Sequence, residues 1–283
     1  MEIALFSPSS LFADEDGNSS DKETTKTHQS YVERSHQFPG MELLIREFSF
    51  HELNANLLWP GTFAFAEWLV QHRLWIEGRH TIELGSGTGA LAIFLRKSFQ
   101  LDVTTSDHDD QEIEENIAHN CRVNGVTPIL SHIRHSWGNA FPSADPDWDL
   151  VIASDILLYV KQYANLIKTL CFLLKCYKPK INAAVPQRNI GEIGDTMLTD
   201  LCNFTKQRLQ LMKLLIFFGD NFGTDTCLGL CRPAFLMSWR RRIGKEDESV
   251  FFTGCENAGL EVQHLGSRVY CIQCRETNIK GTT

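Results

Sequence analysis

Apolar and polar positions along this chain follow two periods in turn, and the period changes every ten to twenty residues. "MELLIREFSF", from Met41, alternates Leu43, Ile45 and, loosely, Phe48 and Phe50 with polar partners, which predicts a strand. Trp59-Pro60-Gly61 reads as a tight turn, after which Thr62 is placed to cap a nearly all-apolar, buried helix over residues 63–76. Strand and helix then alternate. "HTIEL" (80–84) is a strand, "GALAIFLRK" (89–97) a helix, and "LDVTTSD" (101–107) a second strand ending in Asp107. The helix over 109–125 carries Ile113, Ile117 and Cys121 on one face, with Asp109 and Glu112 as a capping pair and Asn124-Gly125 as its end. "PILSHIRH" (128–135) is a short strand, and "WDLVIASD" (148–155) an apolar strand of the kind buried in parallel sheets. Residues 159–175 form an amphipathic helix with Tyr163, Leu166, Ile167, Leu170 and Leu174 as its stripe. Such alternation predicts right-handed βαβ units in a doubly wound α/β sheet.

Both ends of this rhythm are informative. Residues 1–38 are polar with no apolar period and are expected to be a disordered tail, with order starting near Phe38-Pro39-Gly40. The rest, 39–283, reads as one domain with an atypical insert at about 176–232, a connection too long for a compact sheet. After it come a strand (233–239), a helix (245–259) closed by Gly259, and a hairpin over 260–274 with Gly266-Ser267 as a two-residue loop.

Composition narrows the function classes. The 283 residues are 43% hydrophobic and 22% charged, enough for a packed core, and the net charge of −8 argues against broad binding to nucleic acid. The one dense basic run, Arg240 to Arg242, reads as a solvated strand end. Nine cysteines with no secretory pattern at the start point to reduced thiols in the cytosol or nucleus. Cys271 and Cys274 lie three positions apart in a strand and fall on opposite faces, so no metal site is expected. The most apolar run, residues 209–218, is about half the ~20 residues a spanning helix needs, so no membrane segment is expected.

The chemistry lies in "TIELGSGTGALA" (81–92). Gly85, Gly87 and Gly89 follow a strand and open a helix, where backbone must approach a ligand closely. Gly85, Gly87 and Ala90 also satisfy a dinucleotide pattern, with Asp107 placed as a ribose-binding acid, so an NAD enzyme has to be weighed. Three features favour another cofactor. Glu83, just before the glycines, suits a positively charged ligand better than a pyrophosphate. The last hairpin adds an antiparallel strand to the sheet. Asp155 ends a central strand at the carboxyl edge, where open α/β sheets keep their chemistry.

"NLLWPGTFAFAEWL", "ELGSGTG", "TTSD", "SWG" and "DWDLVIASDILLYV" together resemble the seven-β-strand protein methyltransferases of the lysine-methyltransferase-like group, over about residues 40–175 and 233–274. The resemblance implies a Rossmann-like seven-stranded sheet ending in an antiparallel hairpin, S-adenosylmethionine as methyl donor and a protein lysine as acceptor. It implies that Trp59 belongs to the cofactor pocket, and that Gly85, Ser86 and Gly87 hold the methionine end. Asp107 would bind both ribose hydroxyls, Trp137 pack beside the adenine, and Ser154 and Asp155 lie under the sulfonium. The family ends this strand with an acid and, three residues on, an aromatic; here Tyr159 follows Asp155 by four. Asp155 and Tyr159 are therefore the catalytic candidates, and Trp59, Glu83, Gly85, Ser86, Gly87, Gly89, Asp107, Trp137 and Ser154 the cofactor-binding ones. No Asn-Pro-Pro-aromatic run of the base-methylating kind occurs. Arginine or a small-molecule amine is the alternative acceptor, and a non-catalytic cofactor- or partner-binding module the alternative of another class. Oligomeric state is not legible.

Overall fold

The computed structural model describes residues 31–51, 54, 55, 57–179 and 230–275. A two-stranded antiparallel ribbon, β1 (Tyr31–Phe38) and β2 (Met41–Phe48), leads into helix α1 (Pro60–Gln71). Then follow β3 (His80–Leu84), α2 (Ala90–Phe99), β4 (Asp102–Asp107), α3 (Gln111–Val123), β5 (Ser131–Arg134), β6 (Leu150–Ser154) and α4 (Tyr163–Lys175). The chain ends with β7 (Ala234–Ser238), α5 (Lys245–Asn257), β8 (Leu260–His264) and β9 (Val269–Cys274). The main sheet has seven strands in the order β5-β4-β3-β6-β7-β9-β8, parallel except for the two pairings that β9 makes.

Strand residues divide by period two between two cores. In β6, Leu150 and Ile152 face the core under α1–α3, while Val151 and Ala153 face the core under α4 and α5; in β7, Ala234 and Leu236 oppose Phe235 and Met237 in the same way. Helices on both faces are what such two-sided apolar strands require. Cys271 joins the first core and Cys274 packs against the second, as an odd step in a strand dictates.

Several local expectations are corrected. Order does not wait for residue 38: Tyr31–Phe38 is a strand, paired along its whole length with β2 and reinforced by side chains rather than by an apolar face. Arg34 and His36 both pair with the buried Glu47, and the Arg46 guanidinium lies 4.2 Å from the centroid of the Tyr31 ring. Helix α1 starts at Pro60, ahead of Thr62, because proline suits a first helical position; the Thr62 hydroxyl lies 2.9 Å from Ser154 Oγ instead of capping. Asp110, not Asp109, caps α3, its carboxylate accepting from the Glu112 N–H. The hairpin loop has three residues, Gly266 to Arg268, all at positive φ, with Leu265 N–H bonded to the Val269 carbonyl. Most of the 176–232 insert, including the apolar run 209–218, lies outside the described residues. Among the described residues no helix is long and apolar enough to cross a membrane.

Both flanks of the insert meet at the amino edge of the sheet, on the Asp149 carboxylate. Tyr177 Oη donates to its Oδ1 at 2.6 Å, the His80 N–H to its Oδ2 at 3.1 Å, and Arg232 pairs with it at 3.4 Å. The Ala234 N–H and Arg79 both reach the Asp149 carbonyl. The connection thus leaves and returns at the edge opposite the glycine turn.

Candidate functional site

Strand order reverses between β3 and β6: the chain runs outward through β4 and β5 on one side, then through β7 on the other. Open α/β sheets bind ligands in the crevice at the carboxyl ends of such a pair. A cavity of about 370 Å³ lies there, built from the segments that follow β3, β4, β5 and β6 and from the loop before α1. That volume suits a small-molecule ligand.

The glycine turn forms one wall. Gly85 (φ +64°) and Gly87 (φ +50°) are left-handed, and a Cβ on Gly85 would come within 2.8 Å of Ile156 Cγ2, so this close backbone path needs glycine. Ser86 ties the turn to β4: its N–H donates to the Ser106 carbonyl at 3.1 Å, and its hydroxyl oxygen accepts from the Ser106 N–H at 3.1 Å. Gly89 does not line the cavity. It caps α2 at φ +75°, where a Cβ would press on Ile117 of α3, so its place in the pattern reflects helix packing.

Two acids enter the cavity. Asp107 is half-buried at the end of β4 and accepts from Gly87 N–H through Oδ2 and His108 N–H through Oδ1, each at 2.7 Å. Burial raises its pKa and these two backbone donors oppose the rise. Each oxygen has a lone pair left for a ligand hydroxyl. Glu83 is 2% exposed, and its Oε2 has no partner. Burial, reinforced by the Asp107 charge and opposed by hydrogen bonds from Ser86 and Ala92, pushes its pKa up to about 8. A buried acceptor without a donor costs free energy until something donates to it.

The other wall is aromatic and tethered. Trp137 packs beside Gly85, and the following Gly138 N–H is anchored on the Thr169 hydroxyl at 3.0 Å. The Trp59 indole N–H donates to the Asn54 carbonyl at 3.1 Å, and the Asn54 amide donates to the Tyr159 hydroxyl. Ser154 faces α1 through Thr62. Asp155 stands at the carboxyl edge, as its strand position requires, but its side chain is fully buried. Its Oδ2 accepts from Gly61 N–H at 2.8 Å and Arg242 at 2.9 Å, and its Oδ1 from Arg240 N–H at 3.1 Å. An acid so occupied ties loops together, which argues against the direct catalytic role expected of it from the sequence. The run at 240–242 is correspondingly not just solvated: Arg241 pairs with the buried Glu248, and Arg242 stacks on Trp59.

Ten of the eleven expected site residues therefore line one cavity: Trp59, Glu83, Gly85, Ser86, Gly87, Asp107, Trp137, Ser154, Asp155 and Tyr159. Asn54, His108 and His135 also line it and were not foreseen. His135 Nε2 lies 3.3 Å from the Asn139 carbonyl and so carries the proton, which leaves its buried Nδ1 a bare acceptor. The only sequence signal for His108 and His135 was adjacency to Asp107 and to the Ser136-Trp137-Gly138 motif. Among the described residues no cluster of His, Cys, Asp and Glu could hold a metal ion.

Comparison with known proteins agrees with this geometry. Residues 37–194 match the profile of a family described as lysine methyltransferase. The chain is 29% identical over 151 residues to EEF1A lysine methyltransferase 3 of Xenopus tropicalis, covering 51% of this chain and 64% of that protein. It is 23% identical over 158 residues to the protein N-terminal and lysine N-methyltransferase efm7 of Aspergillus fumigatus, covering 52% and 61%. The chain thus spans less than two thirds of the length of these curated relatives. A T. thermophilus 16S rRNA N2 G1207 methyltransferase, solved with AdoMet and guanosine, shares the fold at a TM-score of 0.50 and 10% identity, covering 90% of this chain and 53% of that one.

Proposed function

We propose that this chain, which belongs to the lysine methyltransferase family, transfers a methyl group from S-adenosylmethionine to a lysine of a protein substrate. The observation that carries the reading is the cavity at the switch point. It combines a left-handed glycine turn, an Asp107 carboxylate with acceptor capacity to spare, and the unpartnered Glu83 oxygen. These fit a cofactor with ribose hydroxyls to donate and positive charge to offer. Asp107 would take the hydroxyls, Glu83 the donors of the amino-acid end, and Trp137 a flat face of the base.

Bound S-adenosylmethionine supplies an activated methyl electrophile. The chain's task is alignment and dehydration. The lysine must arrive neutral, and an aromatic, low-dielectric entrance lowers its pKa. The Tyr159 hydroxyl, which accepts from Asn54 and still has acceptor capacity, is placed to hold the amine by one of its N–H bonds. Asp155, its charge balanced by Arg242, keeps the wall in place.

Incubating the full chain with tritiated S-adenosylmethionine and a cell extract tests the proposal. The expected result is a labelled protein band whose digest carries methyl-lysine. Label on arginine or on a small amine would replace the acceptor, and adenosylhomocysteine binding without label would leave a binding module. The free cysteines among the described residues support a reducing compartment, the cytosol or nucleus.

A further inference from the structure

Three loops meet beside the cavity: the one before α1 and the one after β6 line it, and the one after β7 reaches it through Arg240 and Arg242, which touch lining residues. The Asp155 N–H bonds the Ser238 carbonyl at 2.9 Å where the β6–β7 pairing ends, and side chains carry the connection from there to the loop before α1. The contacts form a continuous chain. The Arg242 guanidinium lies 4.2 Å from the Trp59 ring centroid, the Trp59 indole N–H is bonded to the Asn54 carbonyl, and the Asn54 amide to the Tyr159 hydroxyl. Arg242 also donates to Asp155 Oδ2 at 2.9 Å, and the same carboxylate takes the first-turn N–H of Gly61. Asp155 adopts φ +53°, a conformation costly for a non-glycine residue and sustained here by its three donors. A Cβ on Gly61 would collide with that carboxylate, so the two are closely fitted.

We propose that Arg242 is a positioning residue for methyl transfer: by pairing with Asp155 while stacking on Trp59, it fixes the Trp59–Asn54–Tyr159 arch at the cavity entrance. The assignment rests on the proposed function of this cavity. It needs arginine in particular. A planar guanidinium can present its face to an indole and its edge to a carboxylate at once, which a lysine ammonium cannot do. The arch bears on transfer because Tyr159 is the group placed to receive the amine, and small displacements of positioning groups lower rates steeply.

The test uses the full chain with Arg242→Met, Arg242→Lys and the double variant Asp155→Asn/Arg242→Met, which removes both charges and so leaves no buried unpaired acid. Two readouts are taken. One is the Trp59 indole N–H signal and its hydrogen exchange, identified by loss in Trp59→Phe. The other pairs adenosylhomocysteine affinity with the rate of tritium transfer to the protein band that wild type labels. In Arg242→Met the Trp59 proton should shift and exchange faster. Affinity should stay within about threefold and transfer fall about ten- to a hundredfold, with Arg242→Lys recovering part of both. The double variant should show the same Trp59 change if Arg242→Met fails to fold. An unmoved Trp59 signal in a folded variant lacking Arg242, or a wild-type transfer rate, overturns the assignment. A wild type that binds no adenosylhomocysteine and labels no protein overturns the functional reading instead, and the role in transfer with it, whatever the Trp59 signal does.

Discussion

At the amino edge of the sheet the Asp149 carboxylate has Tyr177 and Arg232 on one oxygen and the His80 N–H on the other. Towards the carboxyl edge Glu83, buried more deeply still, has an oxygen with no donor. The two acids sit on adjacent strands of one sheet, β3 and the start of β6. Their difference separates a tether from a receptor. A fully satisfied buried acid holds chain segments together, here both flanks of the insert; an unsatisfied one is a cost that a ligand can remove. Asp155 shows that edge alone does not decide. It lies on the cavity side, yet its donors make it a tether.

The largest expected effect tests the tether. Asp149→Ala leaves Tyr177, Arg232 and the His80 N–H without their acceptor, and the buried Arg79 without a neighbouring negative charge; it should cost about 3 kcal/mol, a melting temperature lower by roughly 6–12 °C. Adenosylhomocysteine affinity of the folded protein should be unchanged; a loss of affinity would mean that the two edges are coupled. Asp107→Ala should do the reverse. Removing its contacts with ligand hydroxyls and with the Gly87 turn should weaken adenosylhomocysteine binding by about 1.5–3 kcal/mol, or ten- to a hundredfold by calorimetry. Equal affinity in the two variants would dissolve the distinction between the edges.

Glu83 gives a subtler measure. In the folded chain it keeps its proton up to about pH 8, while unfolded it loses it near 4.5. Folding therefore takes up a proton between those values. Stability contributed at low pH is lost as pH rises through this window and falls no further above about 8. Glu83→Gln does not titrate, so its melting temperature should gain on that of wild type from pH 5 to pH 8. Donors or positive charge on a ligand favour the carboxylate. Wild-type binding of adenosylhomocysteine should then tighten from pH 6 to 8 and release up to one proton, read as a buffer-dependent calorimetric heat. A pH-independent affinity would remove Glu83 from the receptor. A smaller effect belongs to Asp110→Ala, which deletes the α3 cap and should cost about 1 kcal/mol with binding unchanged. Asp109→Ala should cost less, since among the described residues Asp109 pairs only with the half-exposed Arg134, at 3.6 Å.

Much of the carboxyl edge was legible in advance because its signals are local. A strand running into Gly85-Ser86-Gly87, and an acid at the end of each neighbouring strand, are spacings that the chain carries in itself. Gly89 misled for the same reason: one spacing serves ligand approach and helix packing alike, and only its contact with Ile117 separates them. Strand β1 escaped notice because "YVERSHQF" is exposed along most of its length and shows no period of two; it is a strand because β2 pairs with it.

What the sequence determined by itself was the element order from β2 onward among the described residues, the two-faced apolar strands and the residues gathered at one sheet edge, since period and turn chemistry act over a few residues. What only the tertiary structure decided was which acids are satisfied. Asp155 and Arg242 lie 87 positions apart, and Glu83 is left wanting while Asp149 is not. A carboxylate's role depends on the donors that folding brings within about 3 Å of it, and those donors come from strands and loops that the sheet, not the local chain, sets side by side.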